Sequence, residues 1–262
     1  MDYKTHIAEV FDRSASQYGE FGTHYFDIFA ERLIRLAQAF KGASVLDVAT
    51  GRGSILKRVL PLIGAGGKLV GIDLSPKMIE ENQNAIKAEN LSFHCMDAES
   101  LDFADGSFDL LYCGFALFFF LDIKKALREF QRVLKPGGKI AISTWGEIGH
   151  SRRVFKERVA SFGIDPNVTA HSMPTSAELH ALFVEAGFTS IQIVPDQLDH
   201  LYVNFDHWME CLWHHGTRSS LEQLNEEQLH ILKAQLCEEL ESENRPDGFH
   251  EEFNVFYTIA SS

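Results

Sequence analysis

Three carboxylates and two glycines stand where strand ends could bring them together. Val45-Leu46-Asp47-Val48-Ala49-Thr50-Gly51-Arg52-Gly53 reads as an apolar strand entering a turn, with a helix starting near Ser54. Gly51 and Gly53 lack a Cβ, so the turn can take positive φ and lie close to a ligand. A dinucleotide would want G-x-G-x-x-G, with its pyrophosphate on the helix N-terminus. Leu56 occupies the third glycine position. Asp47, inside the strand, would repel a pyrophosphate but could order the turn or attract a ligand cation. Asp73 closes the next strand, about 20 residues past the turn, where a carboxylate accepts from both hydroxyls of a ribose diol. Asp97, followed by Ala98, ends the third strand, where a carboxylate can accept from an adenine amino group. The ligand these positions describe is adenosine with a cationic tail in place of phosphates.

Alternating strands and helices must position these groups. Ser44 to Ala49, Lys68 to Asp73, Leu91 to Met96, Phe108 to Gly114 and Lys139 to Trp145 read as strands. Ser75-Pro76 is an N-cap followed by proline at the first helical position. Asp122 caps a helix with an apolar face from Ile123 to Leu134, and Pro136-Gly137-Gly138 stops it. Such units imply a parallel sheet with helices on both faces. Ahead of them, Phe26, Phe29, Ala30, Leu33, Ile34, Ala37 and Phe40 recur at helical spacing, ended by Gly42. Beyond Trp145 the rhythm breaks, and Gly146 to Pro174 reads as an aperiodic insertion. Thr175-x-x-Glu178 is a capping box, with Gly187 as the C-cap of its helix. Ile191 to Val194 is a strand, Trp208 to Trp213 and Asn225 to Leu240 are helices, and Glu252 to Ala260 is a final strand preceded by Gly248.

The balance of charge narrows the partners. Lys plus Arg is 24 and Asp plus Glu is 37 in 262 residues, a net charge of −13. A nucleic-acid binder needs a positive surface to replace phosphate counterions. The longest apolar run, Phe115 to Leu121, is far short of the roughly 20 residues needed to span a bilayer. No signal peptide is read at the N-terminus. The four cysteines are scattered without a CxxC pair, which suits a reducing cytoplasm.

VLDVATGRG, GIDLSP, MDAESLDFADGSFDLLYCGFAL and LREFQRVLKPGGKIAIS, in that order, resemble the class I S-adenosylmethionine-dependent methyltransferases over about Ala43 to Trp145, with Glu185 to Phe188 adding a further turn. The resemblance implies a Rossmann-like, seven-stranded, mostly parallel sheet with an antiparallel last strand and a helical lid. It divides the chain into a cap over 1–42, a cofactor-binding core over 43–145, and a substrate lid with completing strands over 146–262. The cofactor contacts it implies are Asp47, Ala49, Thr50, Gly51 and Gly53 at the methionine end and Asp73, Leu74 and Met78 around the ribose. Asp97 and Ala98 would meet the adenine, and Gly114 and Phe115 the sulfonium. Ala49 departs from the family's usual glycine. The pattern Phe11-Asp12-x-x-Ala15-x-x-Tyr18 and the late Trp-containing helices look like the small-molecule enzymes, including the ubiquinone/menaquinone-biosynthesis C-methyltransferases. The implied activity is in-line methyl transfer to a small, partly apolar acceptor, with no metal. The alternatives are a non-catalytic sensor or regulatory subunit that keeps the cofactor pocket, and a nucleotide-linked oxidoreductase.

Other residues carry bland and functional readings side by side. Phe118-Phe119-Phe120 could be core or an acceptor wall, and Tyr18 could gate or pack. His207, Cys211 and His214 or His215 have the spacing of metal ligands on a helix, but their aromatic neighbours point to a packed lid. Asp102, Asp105 and Asp109 read as an exposed turn, and Arg152-Arg153, which could hold an anionic substrate, as solvated surface. His150, His24 and Tyr18 are candidates for a base if one is needed. Phe115, Phe118, Trp145, Phe155, Trp208 and Trp213 are expected to rim the acceptor pocket.

Overall fold

The structure, a computed structural model, describes residues 2–16, 18, 25–166 and 174–262. Two helices precede the sheet, α1 (Tyr3–Ser14) and α2 (Tyr25–Ala37). The second ends before the expected Gly42, because Gln38 turns left-handed at φ 60°. A left-handed residue just past the last turn terminates a helix. There follow β1 (Ser44–Val48), α3 (Ser54–Ile63), β2 (Lys68–Asp73), α4 (Pro76–Ala85), β3 (Leu91–Cys95), β4 (Phe108–Gly114), α5 (Ile123–Val133) and β5 (Leu134–Trp145). Pro136-Gly137-Gly138 therefore lies inside β5. Leu134 already pairs with Phe108, and the register shifts between Phe108 and Leu110.

The later half departs further from the sequence pattern. Its elements are α6 (His150–Ser161), α7 (Ser176–Glu185), β6 (Thr189–Tyr202), α8 (Phe205–Cys211), α9 (Arg218–Leu221), α10 (Glu226–Glu239), β7 (Asn244–Arg245) and β8 (Gly248–Ser261). α6 occupies the stretch read as aperiodic. Its buried stripe of Ser151, Val154, Phe155 and Val159 is thin and set among charged residues. β6 is 14 residues long where four were expected. It carries Pro195 and several polar residues, which an edge strand tolerates and a central one does not.

The sheet order is β3-β2-β1-β4-β5-β8-β6, with β7 pairing to β8. Among the described residues the path holds the seven strands expected, and the two-residue β7 at its side is an eighth. β1 to β5 pair parallel, and β8 runs antiparallel to both β5 and β6. The mostly parallel sheet with an antiparallel last strand is as the sequence predicted. Alternate side chains feed two cores. Val45, Leu110, Tyr112 and Ala141 face α2, α3 and the lid helices. Leu46, Val48, Leu111, Cys113, Ile140 and Ile142 face α5 and α7. The chain reverses its winding between β1 and β4, and open α/β sheets bind ligands at that switch point.

Asp109 is not in an exposed turn. It sits in β4, accepting from the Ser44 backbone N–H at 2.8 Å and from Lys135 at 2.8 Å. Among the described residues no helix is long and apolar enough to cross a membrane, and none of the four cysteines is in a disulfide.

Candidate active site

The turn after β1 is built from left-handed residues. Ala49, Gly51 and Gly53 have φ of 53°, 52° and 75°. Glycine takes this conformation freely and alanine does so with strain, which explains why glycine is common at position 49 in the family. Gly53 has a second reason to be glycine. A Cβ there would lie 2.8 Å from both Asn82 Oδ1 and Ile86 Cδ1. Asn82 itself donates to the Gly51 carbonyl at 2.5 Å, tying α4 to the turn.

Asp47 is buried beneath this turn. Thr50 Oγ1 donates to its Oδ2 at 2.6 Å, while Oδ1 is buried without a partner among the described residues. Burial pushes its carboxyl up to about 7, against the lowering effect of the Thr50 hydrogen bond. Asp73 does more than the sequence suggested. Its Oδ2 accepts from Gly51 N–H and its Oδ1 from Ser75 N–H, each at 2.9 Å. It therefore fixes both the turn and the start of α4, where Ser75 Oγ accepts from Met78 N–H. Burial still raises it to about 6.

Asp97 is held from a distance. Its Oδ1 accepts from Glu99 N–H, and its Oδ2 pairs at 2.7 Å with Lys4 on α1. Lys4 also reaches Glu99 Oε2 at 2.7 Å. Glu99 Oε1 in turn accepts from the backbone N–H groups of Leu121 and Asp122. Lys4 and Glu99 were missed in the sequence because nothing near Lys4 points to a partner 93 residues away.

Two adjoining cavities collect the expected residues. The first runs from Lys4, Asp97 and Ala98 past Asp73, Leu74 and Met78 to Ala49, Gly51, Gly114 and Phe115. The second shares Ala49, Gly51, Gly114 and Phe115 and continues to Asp47, Thr50 and Arg52. Of the residues assigned to the cofactor, Gly53 lines neither. Tyr18 lines both. Its ring stacks on Phe26 at 5.8 Å and meets Phe11 and His215 edge-on at 6.0 Å. It both packs and stands at the junction. Phe115 is also left-handed, at φ 52°, and its N–H donates to the Ser143 carbonyl.

Other expectations separate here. Phe118 belongs to the core, while Phe119 and Phe120 line the first cavity. Phe155 and Trp208 are buried in the core rather than set at a rim. His150 pairs with Glu243 at 2.5 Å, lining neither cavity, and His24 lies outside the described residues. Arg152 is not solvated surface; it is paired with the buried Glu251. His207, Cys211 and His215 go separate ways, with His207 Nδ1 accepting from Val203 N–H and His215 bonded to Tyr25. Among the described residues no group of three or more His, Cys, Asp or Glu is placed to hold a metal.

Comparison with known proteins fits this arrangement. Residues 46–142 match the methyltransferase domain family. Aklanonic acid methyltransferase DauC of Streptomyces sp. (strain C5) is 34% identical over 145 residues, which is 54% of this chain and 66% of that protein. The chain thus spans just under two thirds of that relative's length. The ubiquinone/menaquinone biosynthesis C-methyltransferase UbiE of Shewanella frigidimarina (strain NCIMB 400) is 31% identical over 203 residues, covering 73% of this chain and 77% of that protein. The crystal structure of YcgJ from Bacillus subtilis shares the fold, with a TM-score of 0.63 at 21% identity over 89% of this chain and 97% of that one. With a matching domain around the cavities and a relative aligned over more than three quarters of its length, the chain belongs to the class I S-adenosylmethionine-dependent methyltransferases.

Proposed function

We propose that this protein moves a methyl group from S-adenosylmethionine to a small, partly apolar acceptor. The observation that carries the reading is the orphaned Asp47 Oδ1 at one end of a cavity system whose other end holds Asp97. A buried carboxylate oxygen without a partner suits a ligand cation. The residues fit the cofactor in order. Asp97 and Ala98 would meet the adenine, Asp73 the ribose diol, and Asp47 with Thr50 the methionine ammonium. Gly114 and Phe115 would flank the sulfur. The names of the relatives, one for a polyketide acid and one for quinone biosynthesis, support a small-molecule acceptor. We also place the protein in the cytoplasm, and divide its work between a core over 43–145 that holds the cofactor and flanking segments that receive the acceptor.

The bound cofactor supplies a methyl group on a sulfonium, which is already a good leaving group. The protein's share is alignment and exclusion of water. Asp73 is held in place through both oxygens by backbone donors, so it meets the ribose without reorganising. Tyr18, Phe26 and Phe115 close the junction of the cavities with apolar surface. Titration calorimetry tests the reading. S-adenosylhomocysteine should bind and NAD should not. Heat from NAD alone would overturn it. Binding without turnover across small aromatic acceptors would favour a regulatory role.

A further inference from the structure

Helix α1 is anchored to the core at both ends, and one of its faces is a wall of the first cavity. Near its N-terminus, Lys4 Nζ donates to Asp97 Oδ2 and to Glu99 Oε2, each at 2.7 Å. Near its C-terminus, Asp12 accepts from Ser75 Oγ and from Lys77 N–H, at the start of α4. Between these anchors Ile7, Ala8 and Phe11 line the cavity, as Lys4 does. Positions 6 and 13 fall on the opposite side of the helix. There His6 bonds to Ser219 at 3.2 Å, and Arg13 Nη2 donates to Glu222 at 2.9 Å.

The Lys4 ammonium serves two carboxylates with different needs. Glu99 is only 4% exposed, and its Oε1 is taken by Leu121 and Asp122 N–H. A carboxylate so buried needs a counter-charge. Asp97 is 33% exposed and stands in the loop after β3. Left alone, such a side chain would sample several rotamers. Instead Lys4 holds its Oδ2, and Glu99 N–H holds its Oδ1 at 2.9 Å. Each oxygen of an ionised carboxylate accepts in two directions, and these bonds take one apiece. Asp97 thus lines the cavity with acceptor capacity left and its plane fixed. Burial lowers the Lys4 ammonium, but the two carboxylates outweigh it and raise it above its ordinary value.

We infer that Lys4 is a positioning residue for the adenine end of the cofactor, acting through Asp97 to select a purine that carries an exocyclic amine. A carboxylate held by both oxygens accepts from that amine without reorganising. The ammonium itself only donates, so it offers the amine nothing directly. Ile7, Ala8 and Phe11 offer apolar surface that does not distinguish an amine from a hydrogen. The inference rests on the methyltransferase reading for the identity of the ligand.

The probes are S-adenosylhomocysteine and its 6-deamino analogue, whose purine carries hydrogen at C6, titrated by calorimetry into the full chain. The wild type should prefer the amine at least tenfold, and a smaller preference would overturn the inference. Lys4→Met should cut the preference to less than a third of the wild-type ratio. Asp12, His6 and Arg13 still hold α1 in that variant. A helix that merely loosened would weaken both ligands alike and leave the ratio standing. A ratio above one third of the wild-type value would therefore overturn the inference. In an Asp97→Ala background, Lys4→Met should leave the ratio unchanged. A further fall there would show that Lys4 does not act through Asp97, and would overturn it too. Should Lys4→Met lose the fold through the uncompensated Glu99, Lys4→Met/Glu99→Gln takes its place. It keeps an acceptor for Leu121 and Asp122 N–H, removes the buried charge, and is judged by the same ratio. Failure of S-adenosylhomocysteine to bind the wild type at all would strike the methyltransferase reading and this inference with it. Binding with an unmoved ratio would strike this inference alone.

Discussion

The strand ends of β1 to β3 and the underside of the lid both keep charged groups out of water, by opposite means. Asp73 is held by backbone N–H groups 2 and 22 residues away, and no cation among the described residues pairs with it. Asp47 has one hydroxyl and no other hydrogen-bond partner among the described residues. Glu251 is matched by a full guanidinium from 99 residues away and by a phenol. The first region leaves negative charge uncompensated and ready for a ligand. The second compensates its charge within the fold. A binding site and a tie between elements are therefore distinguishable by where the balancing charge comes from.

The largest expected effect lies in the lid. Arg152→Met should lower stability by about 3–5 kcal/mol, because it leaves a buried carboxylate alone. Arg152→Met/Glu251→Met should recover most of the loss. Urea unfolding measures both, and an unchanged midpoint for the single variant would erase the contrast. Next comes Asp73→Ala, which removes charge-assisted bonds worth about 1.5–3 kcal/mol each. Affinity for S-adenosylhomocysteine should drop about 100-fold or more by calorimetry, and a drop below threefold would move the ribose contact elsewhere.

The third prediction uses pH. Asp47 and Asp73 are raised by burial to about 7 and about 6, above the ordinary 3.8. The fold holds these protons more tightly than the unfolded chain does. Their contribution to stability is therefore present at low pH and falls as pH rises from about 4 toward 7. A cation bound beside Asp47 favours the ionised form, so ligand binding should release a proton below pH 7. Affinity for S-adenosylhomocysteine should rise about tenfold between pH 6 and pH 8. Calorimetry in buffers of different ionisation enthalpy counts the proton, and a flat profile would mean that the ammonium does not face Asp47. The smallest effect is at the turn. Ala49→Gly relieves a left-handed alanine but adds backbone entropy to the unfolded chain, for a net gain of at most about 1 kcal/mol. A loss of more than that in urea unfolding would show that the methyl group packs usefully.

The same contrast explains what the sequence disclosed. The turn at Gly51, the Ser75 and Asp122 caps and the box at Thr175 are written in residues two to four positions apart, and the structure has them all. Lys4 on Asp97, Arg152 on Glu251 and Tyr25 on His215 join positions 93, 99 and 190 apart. No local pattern announces such pairs. Arg152 beside Arg153 looks like any exposed basic dipeptide until β8 is laid against α6. The length of β6 was hidden for a related reason. An edge strand bonded to one neighbour needs neither continuous apolar residues nor freedom from proline.

The placement of β8 also fixes an order of events during synthesis. β1 to β5 pair among themselves, so the half of the sheet carrying Asp47, Asp73 and Asp97 can assemble while the rest of the chain is still being made. Among the described residues β6 pairs only with β8, and β8 must enter between β5 and β6. Until it emerges from the ribosome, one flank of β5 and the whole of β6 have unpaired backbone groups. Such edges invite pairing between nascent chains. The acidic and polar side chains along β6, unhelpful for recognising it as a strand, are well suited to keeping it apart from its neighbours during that wait.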